Sequence, residues 1–179
     1  MKTGREERFR LLYEQQVGRV AGYVARRAAA DEVQDVVADT FLTAWRRFDE
    51  LPDDPVPWLF GTARRLIANR ARSRRRRRAL DARVVATSAF QAEVEVPELP
   101  EIDRRLLDAI RGLSDAEREA FMLVAWDDLD AARAARAAGC SPATFRMRLH
   151  RARRRLKQRM AERPFPDLTD SRTPVEEPR

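Results

Sequence analysis

The chain reads as all-α, with two small helical domains joined by an acidic flexible linker, the second domain a helix-turn-helix. Three observations carry this reading. Apolar residues recur at helical spacing along most of the 179 positions, and strand-like alternation is almost absent. Capping and turn residues stand where those patterns start and stop. Charge changes sign in blocks: residues 55–80 hold nine basic residues and no acidic ones, whereas 81–101 hold five acidic residues and one basic.

Residues 6–28 place Phe9, Leu12, Tyr13, Val17, Val20 and Val24 near one helical face. In 31–48 the stripe is Val33, Val36, Val37, Phe41, Ala44, Trp45 and Phe48, and Asp31 with Gln34 is placed to form a capping-box-like pair at its start. Asp49 to Pro57 contains three prolines and reads as a loop. Pro57 suits the first position of the next helix, whose buried stripe is Trp58, Leu59, Thr62, Ala63, Leu66, Ile67 and Ala71 and which runs out into Arg74-Arg75-Arg76-Arg77-Arg78. The domain spans 5–78. From 79 to 101 the periodicity fails, Pro97 and Pro100 break helices, and Val84, Val85, Val94 and Val96 are too scattered to read as strands, so this segment is the linker.

The second domain, 102–162, opens with Ile102, Leu106, Leu107 and Ile110. Ser114 and Glu117 form a capping-box pattern, and Phe121, Val124 and Ala125 are expected inside. A short alanine-rich helix follows from about Asp128 and ends at Gly139, where a left-handed residue is wanted. Ser141-Pro142 then caps and starts the last helix. The tail 163–179 has four prolines and few apolar groups, and is expected to be disordered.

Composition excludes much. One Cys and one His leave no material for a disulfide framework, a Cys-based zinc cluster or a multi-His metal site. Neither a GxGxxG nor a GxxxxGK[ST] motif is present. No apolar run approaches the roughly 18 residues of a membrane span, and the first residues lack a signal-peptide apolar region. The expectation is a soluble, cytoplasmic, non-enzymatic protein with no cofactor, no membrane contact and no small-molecule substrate. The paired acids Asp127 and Asp128, or Asp53 and Asp54, fall in turns expected to be exposed, with no His, Gly-rich loop or metal cluster nearby to make them catalytic.

What remains is polyanion binding. At about 100° per residue the last helix turns Phe145, Leu149, Ala152 and Leu156 inward. Its opposite face carries Ala143, Met147, His150, Arg151 and Arg154, flanked by Arg146, Arg148, Arg153 and Arg155. This suits a recognition helix, since Arg can pair bidentately with guanine and flanking arginines can meet phosphates. The 57–78 helix carries Arg64, Arg65, Asn69, Arg70 and Arg72, a second candidate nucleic-acid surface. The 31–48 helix is acidic outside, at Glu32, Asp35 and Asp39, which repels DNA and suits a basic protein partner. A stand-alone helix-turn-helix regulator is the alternative to a reader that works on a larger machine.

Several stretches together carry a resemblance. Asp31-Glu32-Val33-Gln34-Asp35-Val36-Val37-Ala38-Asp39-Thr40-Phe41-Leu42-Thr43-Ala44-Trp45-Arg46-Arg47 resembles the core-binding helix of bacterial extracytoplasmic-function sigma factors. Pro57-Trp58-Leu59-Phe60-Gly61-Thr62-Ala63-Arg64-Arg65 is similar to the start of their promoter-melting helix. Leu113 to Phe121 and Gly139 to Arg153 resemble their C-terminal domain. The resemblance covers about residues 8–160.

It implies a subunit that directs core RNA polymerase to promoters and assists melting. Asp35 and Asp39 would lie on the face that docks on the β′ clamp helices, supported by Phe41 and Trp45. Arg64, Arg65, Asn69, Arg70, Arg72 and the loop 49–56 would serve the minus-ten element. Arg146, Met147, Arg148, His150, Arg151 and Arg154 would serve the minus-thirty-five element, with the C-terminal domain resting on the β flap. An anti-sigma factor is a further implied partner. The chain departs from the family at Ala38, where Gln is common, at Arg65, where Asn is common, and at Ala131-Ala132-Arg133-Ala134-Ala135-Arg136, where the first helix of the motif usually carries glutamates. These departures point to altered promoter preference or backbone contacts.

Overall fold

The structure is a computed structural model that describes residues 2–84 and 101–161. Of the linker expected over 79–101, residues 85–100 lie outside the described residues, as does the tail from 163 expected to be disordered; 79–84 and Glu101 are helical instead. Within them every regular element is helical: α1 (Lys2–Ala25), α2 (Val33–Arg46), α3 (Val56–Val84), α4 (Glu101–Arg111), α5 (Asp115–Ala125), α6 (Ala131–Ala138) and α7 (Pro142–Ala161). α3 carries through the arginine run as expected and continues past the boundary expected at 78, to Val84. It starts at Val56, one residue earlier than Pro57 suggests.

α1, α2 and α3 pack through the stripes that their periodicity predicts. Val20, Val24, Val36, Phe41, Ala44, Leu59 and Ala63 are all buried. Aromatic edges join α1 to the end of α2: Phe9 meets Trp45 at 5.0 Å and Phe48 at 5.6 Å, and Tyr13 meets Phe41 at 4.7 Å. Arg5 closes this end, its guanidinium 4.6 Å from the Trp45 ring and donating to the Trp45 carbonyl. The expected Asp31 cap is not made. Ala30–Glu32 forms a 3₁₀ turn instead, and α2 begins at Val33 with no side-chain cap. Packing holds this helix start, since burying one large apolar side chain is worth about 1.5–3 kcal/mol and a cap about 1.

The local signals of the second domain are realised more closely. Ser114 and Glu117 form a reciprocal capping box on α5. Burial disfavours the charge on Glu117, but hydrogen bonds from Ser114 and the Arg155 guanidinium hold its carboxyl below the usual range. Inside α5 the buried apolar residues are Ala120 and Leu123, Phe121 and Val124 are half-buried, and Ala125 is exposed, so the inner face is rotated from the expected one. Asp130 caps α6 by accepting from the amides of Ala132 and Arg133. Gly139 ends it at φ 64°, with Cys140 N–H donating to the Ala135 carbonyl and Gly139 N–H to Arg136. α4 packs on the far end of α7 around Ala109, Ile110, Leu113, Ala152 and Leu156.

The two domains are not separate bodies on a string. One apolar core runs from Val20 in α1 through α2, α3, α5 and α6 to Leu149 in α7. α3 lies between α2 on one side and α6 on the other, so Phe60, outside the expected stripe, is 1% exposed and stacks on Tyr23 at 4.4 Å. Small residues permit the approach: a Cβ on Gly61 would stand 3.4 Å from the Ala137 carbonyl of α6.

Candidate nucleic-acid and polymerase interfaces

The last helix presents what its periodicity implies. Phe145, Leu149, Ala152 and Leu156 are buried, which turns Arg146, Met147, His150, Arg151 and Arg154 to solvent. Met147 is 55% exposed and lies against the Arg151 guanidinium. Arg148 is half-buried and turns toward α3. Arg155, expected to flank the reading face, instead ties α7 to α5 by donating to Glu117 at 2.6 Å.

The basic residues of α3 divide among three sides. Arg64 and Arg72 line a cleft of about 680 Å³ between the domains, together with Arg26, Arg75, Arg118 and Arg148. Asn69 is exposed and accepts a hydrogen bond from Arg72. Arg65 lies on another side, hydrogen-bonded to Thr62 and beside the 49–56 loop. Arg70 turns toward α2, where it donates to Asp39 at 2.8 Å and to Asp35 at 3.3 Å. Arg74 pairs with Glu32 one turn along. α2 and α3 are therefore antiparallel and cross-linked by rungs of opposite charge. The acidic face of α2 is partly answered within the chain, although Asp35 stays 70% and Asp39 45% exposed.

A further cluster has no counterpart in the sequence reading. Asp127, placed by sequence in an exposed turn, has a fully buried side chain that accepts from Arg26 and Arg27, in the turn that follows α1. Glu119 of α5 accepts from Arg27 at 2.7 Å and from the Tyr23 hydroxyl at 2.8 Å. Burial, reinforced by Glu119, pushes the Tyr23 phenol well above its usual range, so it acts as a donor. Burial opposes the charge on Arg27, but Glu119 and Asp127 outweigh it. Asp54 is likewise half-buried rather than free. It takes a two-pronged contact from Arg133, at 3.0 and 2.8 Å, and a third bond from Arg136 at 2.8 Å. No short-range spacing signals these pairs, because the partners lie between 79 and 101 residues apart. Among the described residues, no group of acids, His and Cys could hold a metal ion, and no helix is long and apolar enough to cross a membrane.

Among the described residues the fold is all-helical and carries a helix-turn-helix whose second helix bares a basic face, an architecture of DNA-binding transcription proteins. Comparison with known proteins is more specific. The model of Sigma-70 region 2 matches residues 12–77, and that of Sigma-70, region 4, matches 103–156. RNA polymerase sigma factor NccH of Alcaligenes xylosoxydans xylosoxydans is 31% identical over 156 residues, covering 79% of this chain and 81% of that one. ECF RNA polymerase sigma factor SigL of Mycobacterium tuberculosis is 29% identical over 163 residues, covering 86% and 89%. Among solved structures, the sigma factor RpoE in complex with the anti-sigma factor NepR from Bartonella quintana matches with a TM-score of 0.65 at 23% identity, over 87% of this chain and 98% of that one. CnrH in complex with the cytosolic domain of CnrY matches with a TM-score of 0.61 at 24% identity, over 90% and 93%. The chain belongs to the sigma-70 family, among the extracytoplasmic-function RNA polymerase sigma factors. It directs core RNA polymerase to promoters and takes part in melting and initiation.

Proposed function

We propose that this sigma factor divides its work between 5–78, which docks on core polymerase and takes the minus-ten element, and 102–162, which reads the minus-thirty-five element as duplex. The observation that carries the reading is the face of α7. A fully buried stripe holds it rigid, while Arg146, Met147, His150, Arg151 and Arg154 project from the other side. A helix so mounted enters the major groove, and flanking arginines meet phosphates. Asp35 and Asp39 form the acidic contact for the β′ clamp helices. Arg64, Arg65, Asn69 and Arg72, with the 49–56 loop, serve the melted strand. Arg70 supports the acidic face from behind and reaches DNA only by leaving Asp39. The protein acts in the cytoplasm and performs no covalent chemistry of its own. RpoE and CnrH are each seen bound to a second protein, and the resemblance supports an anti-sigma partner here too.

The test is run-off transcription with core polymerase from a GC-rich bacterium on a genomic promoter library, with and without the protein. Discrete new start sites sharing two spaced elements are expected, and their absence, with specific duplex binding by the protein alone, overturns this division of labour. Two variants probe the assignments. Arg151→Ala weakens discrimination at one upstream base by about 1–3 kcal/mol, measured against a panel of single-base variants; equal loss on all sequences makes Arg151 a phosphate contact instead. The Asp35→Ala, Asp39→Ala double variant loses core affinity in a pull-down titration and keeps its melting temperature, since exposed ion pairs contribute about 0–1 kcal/mol each.

A further inference from the structure

Arg133 and Arg136 lie in α6, the first helix of the helix-turn-helix. In that motif the first helix crosses the nucleic-acid backbone while the second enters the groove. Two guanidinium groups three residues apart on such a helix form a fork for phosphate oxygens. In this structure the fork is filled by a carboxylate. Both oxygens of Asp54 are engaged, one by Arg133 and the other by Arg133 and Arg136 together, at 2.8 to 3.0 Å. Hydrogen bonds from Arg133, with Arg136 adding to them, hold the Asp54 carboxyl below its usual range, so it remains charged.

Asp54 belongs to the 49–56 loop, directly before α3, and its neighbours Pro52, Asp53, Pro57 and Trp58 line a hollow of about 450 Å³ with Arg65 and Arg136. α3 itself packs against α6, and while the domains are docked this packing holds Asp54 on the two arginines of the backbone-crossing helix, although Arg136 stays 59% exposed. The reading face of α7 stays exposed meanwhile. The two arginines of α6 are therefore occupied while the outward face of α7 is free.

We propose that Arg133 and Arg136 are a phosphate-binding pair for promoter duplex, and that Asp54 occupies this pair in the docked chain as a stand-in for phosphate, so domain docking and duplex binding compete for the same two guanidinium groups. The inference rests on the reading of α6 and α7 as the upstream-element reader and adds to it a site and a competitor. It also gives a physical role to the two arginines in a stretch where the family resemblance leads one to expect glutamates. A carboxylate at either position would repel both the loop and the DNA.

The experiment uses the full chain and a short random-sequence duplex, because phosphate contacts carry no sequence information. Anisotropy titrations at several salt concentrations compare the parent with Asp54→Ala, with Asp53→Ala, and with Asp54→Ala combined with Arg133→Ala and Arg136→Ala. Asp54→Ala is expected to tighten binding by about three-fold, the gain from freeing a binding-competent form held back by one partly exposed ion-pair cluster. Asp53→Ala removes the same charge one residue away, from an exposed side chain, and is expected to gain less. The combined variant should show a salt slope shallower than that of Asp54→Ala by about two, one for each phosphate no longer gripped by an arginine. Equal gains from Asp53→Ala and Asp54→Ala, or no gain from Asp54→Ala, overturn the competition. An unchanged salt slope overturns the phosphate-binding role. Duplex binding by none of the chains removes the reader assignment itself, and the proposal with it.

Discussion

Asp127→Ala is expected to part the two domains. Its side chain is fully buried, and Arg27, 11% exposed, would lose one of its two acids while remaining out of water. Removing one partner of a buried pair typically costs about 3–5 kcal/mol, because the surviving charge keeps its desolvation penalty. Here the penalty falls on the docked arrangement. Arg26 and Arg27 both sit in the turn just after α1, so separation of the domains returns them to solvent, and the chain escapes the cost by opening. Glu119 still partners Arg27, which places the shift near the lower bound, at about 3 kcal/mol. Small-angle scattering should show a larger radius of gyration at unchanged helix content. A lower melting temperature with no change in radius means that the Asp127 cluster supports a single domain and does not hold the pair together.

Phe145→Ala is expected to cost about 3–5 kcal/mol, the usual penalty for emptying an aromatic site in a close-packed core. Phe145 is completely buried in the first turn of α7 and belongs to the core that joins the domains. A loss of this size consumes much of a small domain's stability, so the reading helix loses its seating. Thermal unfolding followed by circular dichroism should show an early transition of part of the helix content, and duplex binding should fall with it. The acidic face of α2 lies outside this change, so core-polymerase affinity should survive. Lost DNA affinity with an unshifted transition would instead make Phe145 a direct contact.

These two positions are not equally legible in the sequence. Phe145 announces itself, since a helix buried on one side must repeat its apolar residues with its own period, and Phe145, Leu149, Ala152 and Leu156 do so. Gly139, Ser114 and Ser141 are equally readable, because turn and cap chemistry acts over two to four residues. Asp127 is opaque. Its partners lie in and just beyond α1, and an acid in a turn carries no local mark of the arginine it will meet. Phe60 escapes the pattern for a related reason: a one-sided stripe is the wrong template for α3, which is covered on two sides. The same limit applies to the binding residues. The solvent face of α7 follows by subtraction from its buried stripe. On α3 the five residues grouped by sequence fan out around the helix, and Arg70 goes to Asp39 because an arginine side chain is long enough to choose the nearer carboxylate.

The contact between α3 and α6 is made largely of short side chains, with Gly61 against the Ala137 carbonyl and Ala134, Ala137 and Ala138 along the seam. Along the seam itself such a surface has few knobs to withdraw from holes, and the large side chains of the joint, Phe60 of α3 and Phe145 of α7, lie buried in the core behind it. Alanine methyls also bring little apolar area into water, at about 25 cal/mol for each Å² uncovered. The joint is thus close-set along the seam, with a shared apolar core behind it, the buried Asp127 pairs on one side and the half-exposed Asp54 pairs on another. Salt screens the exposed Asp54 pairs and leaves the buried Asp127 and the methyl groups largely indifferent, so rising ionic strength should act on this molecule first at the Asp54 edge and only much later as a threat to its fold.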